Sequence, residues 1–138
     1  MAGEAEPLLA THSRTVQAAA AGADASALIV APFAGTLAAA SVVPLTALTG
    51  ANTDSRTIQV WNRGQAGAGT LASASKAFVS GTNAPALTAT AITLSATATD
   101  LVVAAGDVFE VKSLHVGATG LACPLFLAQL QFSRVAGA

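Results

Sequence analysis

Along this chain the apolar residues fall into short runs whose spacing favours strands. In "PLFLAQLQFSRV", Phe126, Ala128, Leu130 and Phe132 lie on one side of an extended chain, and Leu127, Gln129, Gln131 and Ser133 lie on the other. Alternation with a period of two marks a strand buried on one face. "RTIQVWNRG", Arg56 to Gly64, repeats the pattern: Arg56, Ile58, Val60 and Asn62 share one face, and Thr57, Gln59 and Trp61 share the other. "ALIVAPFAG" and "TLAAASVVPLTAL" are apolar runs rich in β-branched residues and broken by Pro32, Gly35 and Pro44. "LTGANTD", "GQAGAG" and "TNAP" supply turn residues between such runs, and "ALTATAITLSATAT" carries too much threonine to favour a helix.

Turns recur about every 8 to 15 residues with no helical period between them, the pattern of an antiparallel sandwich or barrel. The expected fold is all-β: an antiparallel β-sandwich, jelly-roll-like, with an extended N-terminal arm. Strand order is not readable from the pattern. The arm covers residues 1–26, because "MAGEAEPLLATHSRTVQAAAAGADAS" has Pro7, polar insertions and an alanine run without a sustained period. A helix over "RTVQAAAAGA" would be marginal at that length without packing. The sandwich domain is expected over 27–138.

Composition adds a constraint on stability. The chain has 138 residues, the size of one domain, and is 53% hydrophobic, yet only 4% aromatic with no tyrosine. Mean hydropathy is +0.62. Alanine supplies much of the apolar count. Small side chains bury little area each, and stabilisation scales at about 25 cal/mol per Å² removed from water. A lone copy is therefore expected to have a thin core, and self-association would add burial.

Charge excludes several partners. The net charge is −1, and the six basic residues are scattered from Arg14 to Arg134, so no basic patch for nucleic acid is expected. Cys123 is the single cysteine; it can form no intrachain disulfide and no thiolate set for zinc, and is expected to be a small buried hydrophobe. No charged residue occurs from Ala25 to Thr53, but Pro32, Gly35 and Pro44 interrupt that stretch and no Lys or Arg cluster flanks it. No membrane span is expected. "MAGEAEPLLA" begins acidic, without the positive and apolar regions of a secretory signal.

One stretch gathers chemistry-bearing side chains. "LVVAAGDVFEVKSLHVG" holds Asp107, Glu110, Lys112 and His115. Gly106 and Asp107 suit a tight hairpin, with the Asp107 carboxylate accepting backbone N–H bonds. Beyond it, Phe109 and Val111 should point inward and Glu110 and Lys112 outward, close enough to pair. One imidazole makes neither a metal site nor a triad, so His115 is expected at the surface or satisfied in the core. "GQAGAG" lacks the Lys-Ser/Thr ending of a phosphate loop, and Ser73, Ser75 and Lys76 do not have the S-x-x-K spacing. Trp61 alone is a poor stacking platform and is expected to pack against a neighbouring segment. No catalytic, cofactor-binding or metal-binding residue is expected, and no enzyme.

The segments "ALTGANTDSRTIQVWNRGQAGAGT", "VVAAGDVFEVKS" and "ATGLACP" before a last strand resemble head decoration, or cement, proteins of tailed bacteriophages. The resemblance covers residues 27–135. It implies a β-sandwich on the outer surface of a virion, commonly a homotrimer, whose partner is the major capsid protein. A receptor- or glycan-binding module of a phage fibre or spike is the alternative.

Overall fold

A computed structural model describes residues 7–135 of the chain. Its strands are β1 (Pro7–Val16), β2 (Ala25–Val30), β3 (Gly35–Pro44), β4 (Ser55–Asn62), β5 (Leu71–Phe78), β6 (Thr90–Ala91), β7 (Val102–Val103), β8 (Val108–Val116) and β9 (Phe126–Val135). A 3-10 turn, Ala98–Leu101, precedes β7. No helix among the described residues is long and apolar enough to cross a membrane.

Two antiparallel sheets result. The first runs β1-β9-β3, with β6 and β7 both on the remaining edge of β3; the second runs β2-β8-β4-β5. β6 pairs with Ser41 and Val42, and β7 with Gly35 and Thr36, so the two short strands occupy one strand position in two pieces. The chain thus passes from β1 to β2 to β3 to β4 by crossing between sheets each time. It stays in one sheet for the β4–β5 hairpin and crosses again to β6–β7, β8 and β9. That is the jelly-roll order. The "GQAGAG" segment closes the β4–β5 hairpin, as its composition indicates.

The core lies between the sheets. Of the five phenylalanines, Phe78, Phe109, Phe126 and Phe132 are fully buried, joined by Leu37, Ile58, Val60, Val111 and Leu130. Phe109 of one sheet meets Phe132 of the other in a tilted edge contact, with centroids 5.4 Å apart. Such a contact stabilises by about 0.5–1.5 kcal/mol beyond area burial. Alanines 40, 74 and 128 fill the same interior and let the sheets approach closely. The alternation anticipated in β4 and β9 is observed: all four even-numbered residues named in each strand are buried.

Two expectations are corrected. Residues 7–26 are not an arm separate from the sandwich. β1 pairs with β9 over ten residues, from Pro7 opposite Val135 to Val16 opposite Phe126. Val16 is fully buried, and Ala19 exchanges two backbone hydrogen bonds with Cys123, at 2.9 and 2.8 Å. The segment lacks an apolar period because β1 is an edge strand. Its core-side positions His12 and Arg14, opposite Leu130 and Ala128, remain exposed. Residues 1–6 of the expected arm lie outside the described residues.

The Gly106–Asp107 turn is likewise not a hairpin. Its flanking strands belong to different sheets: β7 pairs with β3, and β8 with β2 and β4. The turn carries the chain across the sandwich, with the Asp107 amide donating to Ala104 O at 3.1 Å and Gly106 at φ +84°. The local turn chemistry is as expected; only its role in the topology differs.

Candidate interaction surfaces

The four charged or titratable side chains that cluster in sequence do four separate jobs. Asp107 is buried, and its Oδ2 accepts from the Ala104 amide at 2.9 Å and from Asn62 Nδ2 at 3.1 Å. It holds the turn to the end of β4. Glu110 accepts from Arg63 Nε at 2.9 Å and pairs with its Nη2 at 2.7 Å. Lys112 Nζ lies 4.3 Å from the centroid of the Trp61 ring, and the Arg63 guanidinium carbon 4.7 Å from it. Glu110 and Lys112 thus point outward as strand alternation requires, but each engages a β4-side group instead of the other. His115 donates its backbone N–H to Asp24 Oδ1 at 2.8 Å, with its ring Nδ1 2.6 Å from the same oxygen.

That last contact closes one end of the sandwich. The backbone N–H of His115, then its ring, hold the Asp24 carboxyl below its ordinary pKa. Beside it sits the feature that sequence reasoning missed. Arg56 is completely buried. Its guanidinium donates to Leu121 O at 2.8 Å, Ala23 O at 2.9 Å, Ser113 O at 3.3 Å, Ser113 Oγ at 3.2 Å and Ala20 O at 3.4 Å. One side chain on β4 therefore ties the β1–β2 loop and the β8–β9 loop to the sheet. Asp54 Oδ1 adds bonds from the amides of Thr119 and Gly120, at 3.3 and 3.2 Å. Period-two alternation had put Arg56 beside Ile58 and Val60, which was the available signal; a charged residue on a core face implies an internal set of acceptors.

The remaining candidates stay apart. Ser73 is buried and donates from Oγ to Asp100 O at 3.0 Å, while Ser75 is exposed on β5. Lys76 stands opposite Ile58, so the three form no cluster. Cys123 is buried, as expected, and burial pushes its thiol pKa up. Trp61 donates Nε1 to Gln59 Oε1 at 2.8 Å and is stacked by the two cations of its own sheet. Among the described residues, no group of three or more His, Cys, Asp or Glu is placed to hold a metal ion.

The outer faces of the two sheets differ in kind. On the β2-β8-β4-β5 sheet the outward positions include Glu110, Lys112, Gln59 and Trp61, with Arg63 at the rim. On the β1-β9-β3 sheet they are Leu9, Thr11, Ser13 and Thr15 from β1, Leu127, Gln129, Gln131 and Ser133 from β9, and Thr36, Ala39, Ser41 and Val43 from β3. None of these is charged. Ser41 Oγ donates to Gln129 Oε1 at 3.2 Å. Around this neutral field lie exposed Leu45, Leu87 and Val102.

No family model matches the chain, and none of the curated proteins does. Among solved structures, it is similar to a chain in a structure of the infectious bursal disease virus Gx strain, with a TM-score of 0.45 and 14% identity. The match covers 96% of this chain and 34% of that one, so the chain spans about a third of its length.

Proposed function

We propose that this protein is a non-enzymatic structural component of a phage virion, placed on the outer capsid surface as a homotrimer and stabilising the shell by bridging subunits of the major capsid protein. The observation that carries this reading is the contrast between the two outer faces. The β1-β9-β3 face offers an uncharged field of Thr, Ser and Gln with Leu127, Val43 and Ala39 among them and exposed aliphatic residues at its margin. Desolvating such a field costs no ion its hydration, so it suits packing against protein. The opposite face keeps its ions in local pairs and stacks, as a solvated surface does. The resemblance of the β4–β5 and β7–β8 segments to decoration proteins supports the same reading. The Arg56 clasp suits a particle protein because it holds two loops without a metal or disulfide.

Imaging of particles from the phage whose genome encodes this chain tests the proposal. Density on the outer shell at a copy number set by the capsid lattice is the expected result. Density confined to the tail would overturn it in favour of a receptor- or glycan-binding module, and absence from the particle would overturn both.

A further inference from the structure

The β2 edge of the sandwich is open to an added strand, and the other edges are not. The outer edge of β3 is taken by β6 and β7. β5 is covered by residues 93–95, with Ser75 N–H donating to Thr93 O at 3.0 Å and Ser95 N–H to Ser73 O at 2.8 Å, and it sets Lys76 on its core side opposite Ile58. β1 carries exposed His12 and Arg14 on its core side. Cover and inward-pointing charge keep an edge from pairing with a foreign strand. β2 has neither, and it holds no proline and no bulge in its register with β8. Its backbone phase follows from Val108, which donates to Gly64 O at 3.0 Å and accepts from Arg63 N–H at 2.7 Å. Those groups point to β4, so they do not serve Val30, which stands opposite Val108 on β2. Alternation then turns the N–H and C=O of Ser26, Leu28 and Val30 out of the sheet edge. Among the described residues β2 pairs with no strand but β8. Exposed Leu28 and Val30 flank these open groups on the outer face. On the inner side lies a cleft of about 350 Å³, with His12 and Arg14 of β1 on one wall and Leu28 to Pro32 on the other. The His12 ring rests edge-on against Phe132, centroids 6.1 Å apart, and among the described residues no carboxylate pairs with His12 or Arg14. The two sit on one face of β1, about 7 Å apart along the strand.

We infer that β2 receives an extended acidic segment of a partner protein as a fifth, antiparallel strand of its sheet. Backbone bonds to Ser26, Leu28 and Val30 hold the segment, as in other cases of strand addition. Its carboxylates, at alternate positions, turn inward to Arg14 and His12, where a charged acceptor strengthens each hydrogen bond. The apolar side chains between them lie outward beside Leu28 and Val30. Charge and spacing select this occupant. A basic strand would set like charge against Arg14, and an apolar one would leave the guanidinium facing it without a counter-ion. A second copy of β2 brings only Ala25, Ala27 and Ile29 to the inner side, none of which answers Arg14. The assignment goes beyond the virion reading and does not rest on it.

The test is titration of the full chain with the acetylated, amidated peptide Thr-Val-Glu-Val-Glu-Val-Thr, read by calorimetry and by amide hydrogen exchange. Saturable binding is expected, with exchange at the Leu28 and Val30 amides slowed at least about tenfold and β5 amides unchanged. Peptides with Gln or Lys in place of Glu are expected to bind at least about tenfold more weakly. N-methylation of the central valine, whose N–H faces β2, should abolish binding, whereas N-methylation of a glutamate, whose N–H faces away, should not. Arg14→Glu, at an exposed position, is expected to keep the circular dichroism spectrum and to exchange the preference for Glu for one for Lys. No binding at about 1 mM peptide overturns the inference. So does binding that is indifferent to Arg14→Glu, or protection that arises away from β2. A wild-type oligomer in which the Ser26, Leu28 and Val30 amides are already protected overturns it in favour of a second copy on that edge.

Discussion

Replacing Arg56 by methionine probes the feature on which one end of the fold depends. Methionine fills most of the same volume, so the cavity term is small. What is lost is the set of hydrogen bonds from a charged donor. The two short ones, to Leu121 O and Ala23 O at 2.8 and 2.9 Å, contribute about 1.5–3 kcal/mol each, and the three longer ones at 3.2–3.4 Å less. Against this, the variant no longer buries a charge, which in real proteins costs several kcal/mol per ion. The net expectation is a loss of about 2–3 kcal/mol, a fall in melting temperature of roughly 6–15 °C for a domain of this size. Hydrogen exchange locates the effect. Ala19 and Cys123 bond to each other across the two clasped loops, so their amides should lose protection before those of β4 and β8. Arg56→Lys should also destabilise, because one ammonium cannot reach Leu121, Ala23 and Ala20 together. A methionine variant that melts at or above the wild-type temperature, with Ala19 and Cys123 still protected, would refute the clasp.

Three further outcomes are expected. Deleting residues 1–16 removes β1, exposes the edge of β9 and uncovers Val16's place beside Phe126; the product should lose cooperative melting or aggregate, and a truncated chain with wild-type melting would show that β1 is dispensable. Gly106→Val meets no steric obstacle, since a Cβ there faces open space, but a β-branched residue at φ +84° should cost about 1–3 kcal/mol, measured by thermal melts against Gly106→Ala. The Asp24 pKa is lowered in the fold, so its contribution to stability is fully present above the ordinary value of 3.8 and is lost as pH falls through the lowered value; the acid limb of a melting-temperature profile should flatten in Asp24→Asn, and an unchanged limb would count against the His115 contact.

How much was legible in the sequence follows from which forces are local. β4 and β9 announce themselves because both are interior strands of a sandwich with one face in the core, so alternation is written directly into "RTIQVWN" and "FLAQLQFS". Gly106 and Asp107 are legible as a turn for a similarly local reason: a positive φ and a carboxylate within reach of nearby amides. The burial of Cys123 follows from its chemistry. The all-β class and the two-sheet sandwich came from these signals together.

What remained illegible depended on contacts distant in the chain. β1 carries no period because an edge strand pairs through its backbone, which any residue supplies, and its partner β9 lies more than a hundred positions away. Whether the Gly106 turn made a hairpin or a crossover depended on which sheet β7 joined, a matter of pairing with β3. Arg56 stood on a core face by spacing, but its acceptors, the carbonyls of Ala20, Ala23, Ser113 and Leu121, converge only when two loops meet at one end of the sandwich. Leu87 reads in sequence as one more leucine among alanines and threonines; its bond to Pro44, its left-handed backbone and its exposure belong to the folded chain. Alternation and turn chemistry act over a few residues and can be read along the chain. Pairing, clasping and exposure are properties of the closed jelly roll.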